Sequence, residues 1–230
     1  MGARILRQES AAAGYAAEVN SSPSSPMHTS RTADERKITR LRQSSLEEYA
    51  SWYLAREAKK PGAAPVAAVG PAAVTCMWQQ HPGKMRGWFR NAATWSVVTL
   101  NSFAEVERLI FLESSWTKEE QLVIPDGAPN YRLLDRVAQN ASMHSYFDRP
   151  RADRHRVYRD DLCTGRLSLV GDSRIALCTP EESEIRTNPA GTFYILDGVG
   201  RCLPFVTLVR SGGLIFTPVE AFLVERSVSL

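Results

Sequence analysis

The sequence predicts an α+β domain, a small mixed sheet with covering helices, preceded by a disordered leader and an amphipathic helix. Three observations lead there. Near the C-terminus two short apolar runs, residues 193–196 and 219–224, have the length and the β-branched and aromatic content of strands, and between them a glycine turn opens an apolar stretch of helical length. Residues 33–60 carry apolar side chains at spacings of three and four, the period of a helix with one buried face. Residues 1–32 are rich in Ala, Ser and Pro, and a stretch with so few large apolar groups cannot bury enough surface to offset its ordering entropy.

Composition bounds the function. The chain has 230 residues, 43% hydrophobic and 23% charged, which is ordinary globular usage and sufficient for a packed core. A net charge of +3 is too mild to argue for a polyanionic partner by itself. Cys76, Cys163, Cys178 and Cys202 show no CxxC spacing, which argues against a zinc knuckle, a redox pair or a disulfide scaffold. No apolar run approaches the ~18 residues a membrane helix needs, so no membrane partner is expected. Arg4 and Arg7 are followed by Gln8, Glu9 and Ser10 rather than by the apolar core of a secretory signal. The expectation is a cytoplasmic protein. The alternative is an exported bacterial effector, because a Ser-rich unstructured leader also suits bacterial export.

In chain order, Ile38, Leu41 and Ser45 continue into Leu46, Tyr49, Ala50, Tyr53 and Leu54 as one apolar stripe, suited to the core or to a partner. Ser44 or Ser45 is placed to cap it, Glu47 and Glu48 favour the positive end of its dipole, and Lys59, Lys60, Pro61 and Gly62 close it. Residues 61–71, small and broken by Pro and Gly, read as a linker, with the main domain at 72–230. Trp78, Trp88, Phe89 and Trp95 alternate with Lys84, Arg86 and Arg90. This composition fits a single-stranded nucleic-acid platform, but it fits buried aromatics beside a solvated loop better. A strand is expected at 95–100, a short helix at 102–112, and a helix from Tyr131 to Met143 capped by Asn130. Arg149, Arg151, Arg154, Arg156 and Arg159 form a candidate phosphate-binding stripe in an exposed loop, blunted by Asp153, Asp160 and Asp161. His144 and His155 have no third ligand in register and read as surface or satisfied histidines rather than metal ligands.

Chemistry concentrates in one turn. Residues 191–196 lead from Asn188, Pro189 and Ala190 into Asp197-Gly198-Val199-Gly200-Arg201. An apolar helix at 202–210 follows, with Pro204 expected in its first turn. Two glycines permit close backbone approach and positive φ, and a helix N-terminus offers unsatisfied N–H groups to an anion. Arg201 suits bidentate pairing with phosphate or carboxylate, and Asp197 suits a metal ion, a proton or Arg201 itself. The competing reading is a tight turn in which Asp197 caps the helix and pairs with Arg201. Cys202, at a helix N-terminus beside Arg201, is a reactive thiol if exposed and a small core residue if buried.

The run Tyr194-Ile195-Leu196-Asp197-Gly198-Val199-Gly200-Arg201-Cys202-Leu203 resembles the signature turn of the ParB/sulfiredoxin-like superfamily, in which a strand passes through an Asp-Gly or Gly turn to an Arg at the mouth of a helix. The resemblance covers residues 167–224. It implies a phosphate-binding turn built on Gly198 and Arg201, with Asp197 as the neighbouring acid. The expected ligand is a nucleotide or phosphorylated small molecule, and a nucleoside triphosphate with Mg2+ held by Asp197 or Glu184 is one form of it. On this reading Asp197 and Arg201 are the candidate catalytic residues of a nucleotide-dependent phosphotransferase or switch, and Gly198, Gly200 and Arg201 hold the ligand. Where kinase-like and sulfiredoxin-like members carry His in the turn, this chain has Val199 and Gly200; the sulfiredoxin nucleophile precedes its His-Arg pair whereas Cys202 follows Arg201, so the sulfiredoxin activity does not transfer with the motif. The alternatives are a non-catalytic regulatory module that binds nucleic acid or protein through the stretch Arg149 to Arg166, and the exported effector.

Overall fold

The computed structural model describes residues 38–59, 68–80, 89, 92–111 and 129–226. The five strands are β1 (Ile38–Ser44), β2 (Ala92–Leu100), β3 (Ile175–Cys178), β4 (Tyr194–Asp197) and β5 (Val219–Arg226). The helices are α1 (Leu46–Glu57), α2 (Gly70–Gln80), α3 (Phe103–Glu107), α4 (Leu134–Met143), α5 (Asp153–Cys163), α6 (Glu182–Thr187) and α7 (Val199–Arg210). The expected leader at 1–32, together with Lys84, Arg86, Trp88 and Arg90, lies outside the described residues. No helix among the described residues is long and apolar enough to cross a membrane.

The strands form one mixed sheet in the order β1-β2-β5-β3-β4. β5 is its axis, pairing antiparallel with β2 (Trp95 opposite Val224, Leu100 opposite Val219) and parallel with β3 (Ile175 opposite Ala221, Cys178 opposite Val224). β4 closes the order antiparallel to β3. Residues 193–196 and 219–224 therefore share a sheet but are not neighbours, because β3 lies between them. β3 went unanticipated: Ile175-Ala176-Leu177-Cys178 is buried at all four positions, and a short apolar run covered on both faces has no alternation to reveal it. Beyond β4, Ile110 adds a single rung: its N–H donates to Phe193 O (2.7 Å) and its carbonyl accepts from Ile195 N (3.0 Å).

Residues 38–44 of the expected amphipathic helix form a strand. β1 pairs antiparallel with β2, with a bulge between Arg40 and Arg42. Helical spacing of Ile38, Leu41 and Ser45 misleads because the ladder to β2 sets the local conformation, and Leu41 is left 52% exposed. α1 begins only at Leu46, where Ser45 accepts a hydrogen bond from the Glu48 N–H (3.2 Å). Residues 70 and 71 of the expected linker belong to α2, and Arg36–Leu230 form one compact unit.

Alternation on the strands sorts the core into two layers. Phe222 and Val224 of β5, with Trp95 and Val97 of β2, pack under α1 and α2 against Tyr49, Tyr53, Leu54, Met77 and Phe89. Ala221 and Leu223, with Val98 and Leu100, face the other way and meet α4 and α7 through Leu134, Val137, Phe205 and Val206. Trp95 and Phe89 are thus core residues, their rings 5.0 Å apart, and Tyr49 meets Phe222 edge-on at 5.5 Å. Two further elements differ from expectation. α4 starts at Leu134, because Asn130 takes a left-handed conformation (φ 65°) and its Oδ1 accepts from Ala190 N rather than capping the helix. Residues 149–166 are not a loop: a 3-10 turn at Pro150–Ala152 leads into α5.

Tyr49 tests this core. It is fully buried, and its hydroxyl has no hydrogen-bond partner among the described residues. Tyr49→Phe removes an unsatisfied polar atom and is expected to leave stability unchanged or raise it by about 1 kcal/mol. Tyr49→Ala is expected to cost about 3–5 kcal/mol through the cavity it leaves. Chemical denaturation of both variants measures the contrast, and a marked loss in Tyr49→Phe would contradict the assignment.

Candidate functional site

β4 ends at Asp197, and Gly198 turns the chain into α7. Gly198 sits at φ 101°, and a Cβ there would lie 2.5 Å from Ile175 Cγ2 and 3.1 Å from Arg201 Nη2. Both conformation and space therefore require glycine. Its carbonyl accepts from the N–H groups of Arg201 and Cys202, each at 2.9 Å, and no side chain caps the helix. The N–H groups of Val199 and Gly200, in the first turn, have no intrahelical acceptor by helix geometry. Gly200 answers a different need: a Cβ there would press to 3.3 Å from both Arg154 Nε and Tyr158 Cε2 of α5. Pro204 lies one turn deeper than expected, inside the helix, so the Gly200 carbonyl loses the donor that residue 204 would otherwise supply.

Arg201 does not face a cleft. It is 5% exposed; its Nη2 donates to Asp197 Oδ2 (2.9 Å) and its Nη1 to the Ser173 carbonyl (3.0 Å). Arg201 pairs with Asp197 as in the competing reading, but Asp197 does not cap the helix, and the pair has an added partner. Arg56, in the last turn of α1, donates through Nη2 to Asp197 Oδ1 (2.9 Å) and through Nη1 to Oδ2. It also pairs with Glu57 (3.0 Å), and its guanidinium lies over the rings of Trp52 (4.8 Å) and Tyr53 (5.2 Å). Burial works against the Arg56 charge, but the Asp197 carboxylate outweighs it and holds the guanidinium above its already high range. The loop Gly171–Ser173 is fastened alongside: Trp52 Nε1 donates to the Asp172 carbonyl (3.2 Å) and Lys59 pairs with the Asp172 carboxylate (2.7 Å).

Arg56 is the residue that sequence reasoning missed. Its only local signal is a cation in the last turn of a helix, which is common. Of the residues singled out beforehand, Asp197, Gly198, Gly200 and Arg201 do come together, and Arg154 joins them through Gly200. The other members of the arginine stripe disperse. Arg156 pairs with Asp153, Arg159 reaches Asp160 (3.3 Å) and the Phe147 ring, and Arg149 donates to the His144 carbonyl (3.3 Å). The side chains of Arg151 and Glu184 lie outside the described residues. Among the described residues no three His, Cys, Asp or Glu side chains gather to hold a metal ion. Cys202 is a core residue: it is fully buried, and burial pushes its thiol up to about 12, so it stays protonated.

α5 carries a second buried polar group. His155 is 1% exposed, with Nδ1 3.0 Å from the Tyr146 hydroxyl, while His144 is exposed. Burial, and then the charge of Arg154, lower the His155 imidazole to about 4. Comparison of the chain with protein-family models, curated proteins and solved structures gave no match.

Two outcomes follow from this geometry. Arg201→Ala takes one donor from the half-buried Asp197 and leaves the Ser173 carbonyl without its donor, and is expected to destabilise the fold by about 3 kcal/mol, read from denaturation midpoints. His155 is neutral in the fold, so the unfolded chain binds the extra proton first on acidification. Stability should be fully present above pH about 6.5, fall as the pH drops, and level off near pH 4, a loss of order 3 kcal/mol that His155→Gln flattens. Melting temperatures of both proteins between pH 7 and 4 check the slope.

Proposed function

We propose that the chain binds a phosphate-bearing ligand, a nucleotide in class, at the β4–α7 turn, and that it serves as a binding or switch module. The observation that carries this reading is the uncapped first turn of α7, where Gly200 lies beside Arg154 and Tyr158 of α5. Helix N-terminal amides attract anions through both their hydrogens and the helix dipole. The Arg154 guanidinium beside Gly200 adds the cation of a phosphate contact. The resemblance of residues 194–203 to the ParB/sulfiredoxin-like turn points to the same ligand. The role of Arg201 changes in this version: it braces the turn from inside, and Arg154 is the cation that meets the ligand.

Binding is favoured over phosphoryl transfer by what the turn contains. Asp197 is already engaged by two guanidiniums, so its oxygens are committed to the protein rather than to a reacting group. Val199 and Gly200 occupy the places where relatives of the motif carry histidine. Mg2+, where present, would reach the site on the phosphates of the ligand itself.

Calorimetric titration of the full chain with inorganic phosphate and with nucleoside triphosphates, with and without Mg2+, tests the reading. Binding at one hundred times Kd should stabilise the protein by about 2.7 kcal/mol. Arg154→Ala, an exposed position, should abolish that gain, measured against the melting temperature of the unliganded variant. Stabilisation that survives Arg154→Ala, or no stabilisation by any of these ligands, would sink the proposal.

A further inference from the structure

We infer that the segment Leu214–Thr217, which joins α7 to β5, is a self-association site: it pairs antiparallel with the same segment of a second copy of the chain about a two-fold axis. The inference is independent of the ligand reading above. α7 ends at a glycine: Gly212 takes φ 74°, its N–H donates to the Val209 carbonyl (3.2 Å), and the Gly213 N–H donates to the Leu208 carbonyl (2.9 Å), a pairing that stops the helix and reverses the chain. Residues 215–218 then run without a turn or bend into β5. Leu214 and Phe216 pack against the core, with the Phe216 ring 6.1 Å from those of both Phe103 and Phe205, while Ile215 between them is 87% exposed.

The main chain specifies the occupant. Among the described residues, the N–H and carbonyl groups of Ile215, Phe216 and Thr217 take part in no hydrogen bond, and the Gly213 carbonyl accepts none. Both neighbours of β5 stop short of them: the β2 ladder begins at Val219 and the β3 ladder at Ala221. An added strand supplies such groups with partners and covers the side chain that points outward. Along a strand the N–H groups of alternate residues point to one side, so Ile215 and Thr217 offer theirs together. Antiparallel pairing centred on Ile215 sets it opposite its own copy, with the Thr217 N–H donating to the Gly213 carbonyl of the other copy, and the two-fold makes every bond reciprocal. Charge selects a second copy as the partner. Like charges directly opposite each other destabilise a strand pair, and the stretch Ser211–Pro218 carries no charged side chain, so it meets itself without repulsion. β1, by contrast, would set its exposed Arg40 and Arg42 against those of another copy.

Sedimentation velocity of the full chain, at concentrations spanning the Kd range of about 1 μM to 1 mM that suits a small interface, should show a monomer–dimer equilibrium. Ile215→Lys and Ile215→Glu change only an exposed side chain, and each alone should weaken dimerisation about tenfold or more, because the apolar contact is lost and like charges then oppose each other. Mixed in equal amounts, the two variants should recover dimer near the parental level, since Lys then meets Glu across the axis. Recovery in the mixture also shows that both variants are folded. A parent that stays monomeric throughout overturns the inference. So does a dimer that withstands both substitutions, which places the contact elsewhere on the molecule. Dimer lost in each variant and not recovered in the mixture means that Ile215 does not meet its own copy, and overturns it equally.

Discussion

A single carboxylate, that of Asp197, accepts hydrogen bonds from two guanidiniums that come from opposite layers of the molecule. Arg56 belongs to the α1–α2 layer and Arg201 to the α7 layer, and they meet at the end of β4. A partly buried ion pair is no certain gain in stability, since desolvation consumes much of the Coulombic attraction. Its stronger effect is on geometry. The contact joins the two layers near the turn by hydrogen-bond direction as well as by packing. The 3-10 turn at Gly171–Ser173, Gly198 and the start of α7 all take their positions from it.

The two glycines of the turn illustrate how one sequence feature can have separate causes. Gly198 is required by a left-handed backbone and by Ile175 and Arg201 pressing on the place of a Cβ. Gly200 has ordinary dihedral angles and is small because α5 comes close. Pro204, four residues on, leaves the Gly200 carbonyl without its helical donor, so the backbone around Gly200 is loosened from the helix just where α5 approaches. The spacing Gly-Val-Gly-Arg reads as one motif, but it combines a conformational demand, a packing demand and an electrostatic tie.

Legibility from sequence followed the range of the forces involved. β4, α7 and β5 were readable because local apolar pattern and glycine punctuation decide them. The segment 38–44 was misread because strand pairing with β2, more than fifty residues away, overrules a helical spacing of three apolar residues. β3 was missed because a strand buried on both faces shows no period, and with it the adjacency of β4 and β5 was misjudged. At the site, Asp197, Gly198, Gly200 and Arg201 are close in sequence and were found together. Arg56 and the Ser173 carbonyl were not, because nothing in a linear pattern brings residue 56 to residue 197. The alternation of tryptophans and cations near residue 90 was best explained by burial, and Phe89 and Trp95 do lie in the core.

The bulge in β1 has a bearing on how the molecule behaves in company. Sheet margins are natural templates for a strand from another molecule, and proteins guard them with irregular ladders and charge. At one margin Leu41 is the extra residue that puts β1 out of step, and Arg40 and Arg42 flank it, held by Glu225 and Glu48. At the other, Ile110 already occupies hydrogen-bonding groups of β4. An incoming strand would meet a mismatched ladder and two guanidiniums on one side and a partly occupied edge on the other. Recruitment of a further strand, into an assembly or a fibril, is disfavoured at both margins of this sheet.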